Sequence, residues 1–115
     1  MKQKNTETAN AVEMMPGITR RTLCYNDQAM LCVIEVNKNA TIPLHNHEAV
    51  QIGMIQSGKV RFFGKAPEDE FIATAGDSYV MASNEPHGAE GLEDSVLIET
   101  FTPKRPEYAD FDPYD

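Results

Sequence analysis

The run Thr41-Ile-Pro-Leu-His45-Asn-His47-Glu-Ala-Val-Gln51, read with Gly76-Asp-Ser-Tyr-Val-Met-Ala-Ser-Asn84-Glu-Pro-His87, holds every histidine of the chain. Extended backbone alternates its side chains, so His45-Asn-His47 sets two imidazoles on one face, and Gln51 returns to that face if extended geometry resumes after His47. With His87, these residues make a three-histidine, one-glutamine set suited to a metal. A single histidine in a strand is ordinarily a surface or satisfied core residue, but here all of the histidines fall in two such runs.

Working outward, Gly, Pro, Asn and Asp divide the chain into short β-like segments. No stretch between Ile18 and Phe101 shows 3.6-residue apolar periodicity. Strands are expected at Ile18 to Cys24, Ala29 to Val36, Val50 to Ile55, Val60 to Phe63, Phe71 to Thr74, Ser78 to Met81 and Ser95 to Phe101. The turn Gln56-Ser-Gly-Lys59 closes a hairpin in which Gly58 supplies a positive φ. About eight short strands suit two packed antiparallel sheets. The 115 residues suffice for one domain and one core. The expected organisation is a loose arm over residues 1–15, an all-β barrel over 16–102, and a tail over 103–115 that folds over the barrel or hangs free.

Composition narrows the function. Eighteen acidic residues against ten basic ones give a net charge of −8, which opposes binding to the phosphate backbone, so nucleic acid is not an expected partner. No apolar stretch approaches the roughly 20 residues of a membrane span and the N-terminal segment is polar, so no membrane partner is expected and the chain reads as cytoplasmic. Cys24 and Cys32 lack a CxxC spacing and read as core residues or ordinary thiols.

Period 2 in Ser95-Val-Leu-Ile-Glu99-Thr-Phe101 puts Ser95, Leu97, Glu99 and Phe101 on one face and Val96, Ile98 and Thr100 on the other. If the first face lines the barrel, Glu99 is an interior carboxylate, which implies a cation or a proton-transfer task. If the second does, Glu99 meets water. Both faces are apolar enough to leave the choice open.

The two histidine runs resemble the motifs of the cupin superfamily, a double-stranded β-helix or small jelly roll. The first motif falls on Asn39, His45, His47, Gln51 and Gly58, and the second on Gly76, Asp77, Ala82, Asn84, Pro86 and His87. Asn39 and Asn84 stand where the family has glycine, and asparagine tolerates the left-handed conformation better than other non-glycine residues. Ala82 replaces a proline. The single short domain, Gln51 and the stretch Leu92 to Tyr108 further resemble the pectin-degradation cupins that linearise unsaturated uronates.

That resemblance implies roles for Glu99, Phe101 and Arg105 beside the metal, although the family has Asp at the position of Glu99 and a proline-containing segment before the glutamine. It also implies one divalent ion, drawn from Zn, Mn, Ni, Fe or Co, since the histidine-glutamine set does not single one out. The implied substrate is a small anionic sugar, with a guanidinium at Arg105 suited to its carboxylate. A homodimer is expected, through sheet packing and an edge strand. The alternatives are a metal cupin of other chemistry, a dioxygenase or isomerase, and a non-enzymatic ligand-binding cupin.

Overall fold

The computed structural model describes residues 1–114. Ten strands follow in chain order: β1 Val12–Met15, β2 Ile18–Tyr25, β3 Met30–Val36, β4 Thr41–His45, β5 Val50–Ser57, β6 Lys59–Phe63, β7 Glu70–Thr74, β8 Ser78–Met81, β9 His87–Gly91 and β10 Ser95–Thr102. They form two antiparallel sheets, one in the order β1-β2-β3-β10-β5-β8 and the other β4-β9-β6-β7. This is the all-β jelly roll expected from the segment pattern. None of the described helices is long and apolar enough to cross a membrane.

Three strands escaped the sequence reading. β1 lies within the segment expected to be a loose arm, yet Val12 pairs with Arg20 and Met15 with Ile18. The turn at Gly17, with φ 80°, folds β1 back onto β2, so the edge of the sheet fixes residues that look unremarkable in sequence. β4 carries Pro43, and β9 is the glycine-rich His-Gly-Ala-Glu-Gly, so neither has the β-branched run that marks a strand.

The inner faces of the sheets bury Ile18, Ile34, Val36, Ile55, Leu97 and Phe101 from the larger sheet against Val60, Phe62, Ala73 and Ala89 from the smaller. Each large apolar side chain removed from water contributes about 1.5–3 kcal/mol, and this shared interior holds the sheets face to face. On β10, Ser95, Leu97, Glu99 and Phe101 are buried, while Thr100 and Thr102 are exposed. The open question about Glu99 is therefore answered: it points inward. Asn39 and Asn84 adopt φ values of 71° and 61°, the left-handed conformation for which asparagine substitutes for glycine. Gly58, at φ 94°, makes the β5–β6 turn.

The tail folds over the barrel. A short 3₁₀ turn at Pro106–Tyr108 brings the Tyr108 carbonyl to the Thr22 hydroxyl, which donates to it at 2.8 Å. Arg20, only 5% exposed, reaches Asp110 at 3.4 Å and lies 4.5 Å from the Tyr108 ring centre. Farther on, the Tyr25 hydroxyl donates to the Phe111 carbonyl and the two rings meet edge to face. The tail is thus fastened at several points.

Candidate metal centre

His45 ends β4 and His87 begins β9, and the two are direct cross-strand partners. Pairing alone brings their rings to 4.4 Å between centroids. His47 arrives differently. β4 stops at His45, so His47 sits in the connection that crosses from the smaller sheet to the larger, not on the same strand face as expected. The Asn84 N–H donates to its carbonyl at 2.7 Å, tying this connection to the β8–β9 loop. Extended geometry does resume before Gln51, but in the opposite sheet, so Gln51 faces the histidines instead of following them along one strand. The three imidazoles each offer a nitrogen within 4.8 Å of the others.

Hydrogen bonding selects one tautomer throughout. Nδ1 of His45 lies 2.8 Å from the Pro43 carbonyl, Nδ1 of His47 2.8 Å from the Ala49 carbonyl, and Nδ1 of His87 2.7 Å from the Glu85 carbonyl. Carbonyls only accept, so in each ring Nδ1–H donates and Nε2 carries a lone pair. Two of these lone pairs lack a proton to face. Nε2 of His87 is buried without any hydrogen-bond partner among the described residues. Nε2 of His47 lies 3.1 Å from Oε1 of Gln51, acceptor against acceptor. Burial pushes the His87 imidazole down to about 4 and also lowers that of His47, so protonation does not relieve either contact near neutral pH. A cation placed among these atoms would satisfy both, and the backbone carbonyls at Nδ1 are the outer partners that orient histidine ligands. The donor set fits a divalent ion.

Behind the histidines lies Glu99, 6% exposed. Gln51 Nε2 and the Tyr79 hydroxyl both donate to its Oε2, at 2.5 and 2.7 Å. Burial raises the Glu99 carboxyl above the usual range, opposed by these two donors and by the charge of Arg105. Gln51 therefore has two jobs fixed by one amide: its nitrogen is committed to Glu99, so its oxygen faces the imidazoles.

A cavity of about 230 Å³ opens between the sheets onto this group, lined by His45, His87, Gln51, Glu99, Phe101 and Arg105 together with apolar side chains that include Met14 and Met15 of β1. Arg105 comes from the tail. Its Nε donates to Glu107 at 2.7 Å and its Nη1 to the Tyr108 hydroxyl at 2.9 Å, and its guanidinium stands 4.2 Å from the Tyr108 ring centre. Phe101, 2% exposed, contacts His47 and Tyr108 edge to face. The structure thus brings together every residue expected at the site. It adds Tyr79 and Tyr108, which the sequence did not single out; neither position carries a signal beyond an aromatic in a strand or tail. Cys32, buried beside Thr22 with its thiol pushed up to about 11 by burial, is the inert core residue anticipated.

The family model described as a cupin domain matches residues 32–101, a span that contains all four candidate ligands. The chain belongs to the cupin family. This cupin is 33% identical to the pectin degradation protein KdgF of Dickeya dadantii over 98 residues, covering 84% of its own length and 87% of that relative. Among solved structures, an RmlC-like cupin from Shewanella frigidimarina superimposes with a TM-score of 0.83 at 26% identity, covering 94% of this cupin and 99% of that chain. KdgF from Halomonas sp. superimposes with a TM-score of 0.81 at 26% identity, covering 90% and 94% respectively.

Proposed function

We propose that this cupin is a metal-dependent enzyme that opens the cyclic 4,5-unsaturated monouronate released by pectate or alginate breakdown to its linear keto form. The observation that carries the reading is the convergence of a histidine-glutamine cage, an interior carboxylate and an arginine on one small cavity. Likeness to two KdgF proteins supports it. At about 230 Å³ the cavity falls below the roughly 300–1,000 Å³ typical of drug-sized ligands, which suits one sugar ring and not a polymer.

His45, His47, His87 and Gln51 would hold the ion. Bound there it supplies Lewis acidity, uncompensated by any carboxylate ligand and so attractive to an anionic, oxygen-rich molecule. Zn, Mn, Ni, Fe and Co all accept these ligands. Arg105 binds the uronate carboxylate, exchanging the exposed Glu107 carboxylate for that of the substrate on the same guanidinium. Glu99 carries a proton as water adds to the unsaturated bond and the ring opens. Phe101 walls the cavity and keeps the ring facing Glu99.

The assay follows loss of the unsaturated uronate's ultraviolet absorbance against its slow spontaneous conversion. Protein loaded with Mn, Zn, Ni or Fe is expected to exceed the spontaneous rate; failure with all four metals transfers the site to another cupin chemistry or to ligand binding. Arg105→Ala is expected to raise KM by roughly 10- to 100-fold, the worth of one charged hydrogen-bonding partner, with a smaller change in kcat. A KM within twofold of wild type would remove Arg105 from substrate binding.

The outer face of the larger sheet also fits the homodimer expected from sequence. Ile52 and Val80 are paired across β5 and β8, and with Met54 they stand 51%, 62% and 42% exposed. We propose that a second copy covers this face, as contiguous apolar surface of this kind marks an interaction site. Sedimentation velocity is expected to show a dimer that Val80→Glu dissociates, and a wild-type monomer at micromolar concentration excludes it.

A further inference from the structure

Across the inner face of the larger sheet, one row of register partners runs Tyr79, Gly53, Glu99, Cys32 and Thr22. Gly53 is the gap in that row. A Cβ built at Gly53 would lie 2.5 Å from both the Tyr79 hydroxyl and its ring, inside any allowed contact. Only the missing side chain lets the Tyr79 ring lie across β5 and carry its hydroxyl two strands over to Glu99. The ring is held there by packing on Phe62, with centroids 4.4 Å apart.

Both donors to Glu99 end on the same oxygen. Tyr79 and Gln51 saturate Oε2, while no hydrogen bond among the described residues reaches Oε1. The carboxylate plane is thereby held, because any partial rotation would break both short hydrogen bonds, and whichever oxygen occupies the other corner is left without a donor. We infer that Tyr79 is a positioning residue for the ring-opening reaction: admitted by Gly53, it locks Glu99 so that Oε1 is the atom that exchanges a proton with the substrate. The inference rests on the proposed function in taking Glu99 as the proton carrier. It assigns the work of holding that acid to a tyrosine outside the metal cage.

The test is a double-mutant cycle on the metal-loaded protein, with Tyr79→Phe and Glu99→Gln, read in kcat, KM and metal content. Tyr79→Phe keeps the ring and removes only the hydroxyl. It is expected to lower kcat by roughly 10- to 100-fold, the range for a hydrogen bond to a charged group, with KM and metal content unchanged. In the Glu99→Gln background the same change is expected to have no further effect, which a general loss of packing would not reproduce. Isotope-edited infrared spectra, taken as the difference between wild type and Glu99→Gln, are expected to show the Glu99 carboxylate band displaced in Tyr79→Phe. Gly53→Ala, which displaces the ring by another route, is expected to give the same kcat loss and band shift. A wild type that turns over uronate while Tyr79→Phe keeps its kcat and its carboxylate band overturns the positioning role alone. A wild type without turnover overturns the proposed reaction and the role with it.

Discussion

A His47→Ala chain, purified without an affinity tag, is expected to carry far less than one divalent ion, with affinity reduced by at least roughly 100-fold. Loss of an outer hydrogen-bonding partner already costs on the order of 10- to 100-fold, and this change removes a proposed ligand itself. The side chain is replaceable by no neighbour: His45 and His87 are fixed by strand pairing, and Gln51 is tied through its amide nitrogen to Glu99. Fold should survive, since His47 lies in a connection and not in the shared apolar interior. The readout is elemental analysis together with thermal unfolding in the presence and absence of added metal, because an ion that binds only the folded state raises its stability. Undiminished metal content would remove His47 from the ligand set.

Turnover by Glu99→Gln is expected to fall by ~10²–10⁴-fold with metal retained, the range for a positioned proton-transfer group. The geometry makes this substitution unusually clean. A glutamine at 99 that places its carbonyl oxygen where Oε2 stands still accepts from both Gln51 Nε2 and the Tyr79 hydroxyl. Gln51 then keeps its oxygen toward the imidazoles, so the cage is undisturbed and only the proton-bearing atom is lost. Comparison of kcat and metal content in one preparation checks both halves. Wild-type turnover in this variant would mean that the proton travels by another group.

The sequence carried the candidate ligands further than it carried the strands that hold them. Histidine types and spacings are chemical facts that survive any local conformation, so His45, His47, Gln51 and His87 could be expected to gather, as they do, although His47 and Gln51 do not share the strand face assumed for them. The strands β4 and β9 were illegible for a physical reason: Pro43, Gly88 and Gly91 are poor strand formers, and pairing across the sheet, not propensity, holds them extended. Gly88 must be small because a Cβ there would meet the Phe63 ring at 2.4 Å, a contact between strands far apart in sequence. The inward direction of Glu99 was undetermined because β10 has apolar residues on both faces, and only the register with β3 and β5 decides it. Tyr79 lay beyond reach for the same reason. Its importance depends on which residue sits beside it two strands away, and register is not written in local pattern.

The tail's path has a consequence for how such a protein changes over time. The atoms proposed to grip an ion belong to the barrel and its connections, whereas Arg105, proposed to face the guest's charged end, and Tyr108, which holds it, belong to a segment strapped over the opening from Thr22, Arg20 and Tyr25. Under the proposed reading, reactive power and taste are inherited on separate stretches of chain. Residues after Thr102 can drift or be exchanged to admit a different acid, or none, without replacing any side chain of the cage. Diversification of this scaffold should therefore begin at its strap.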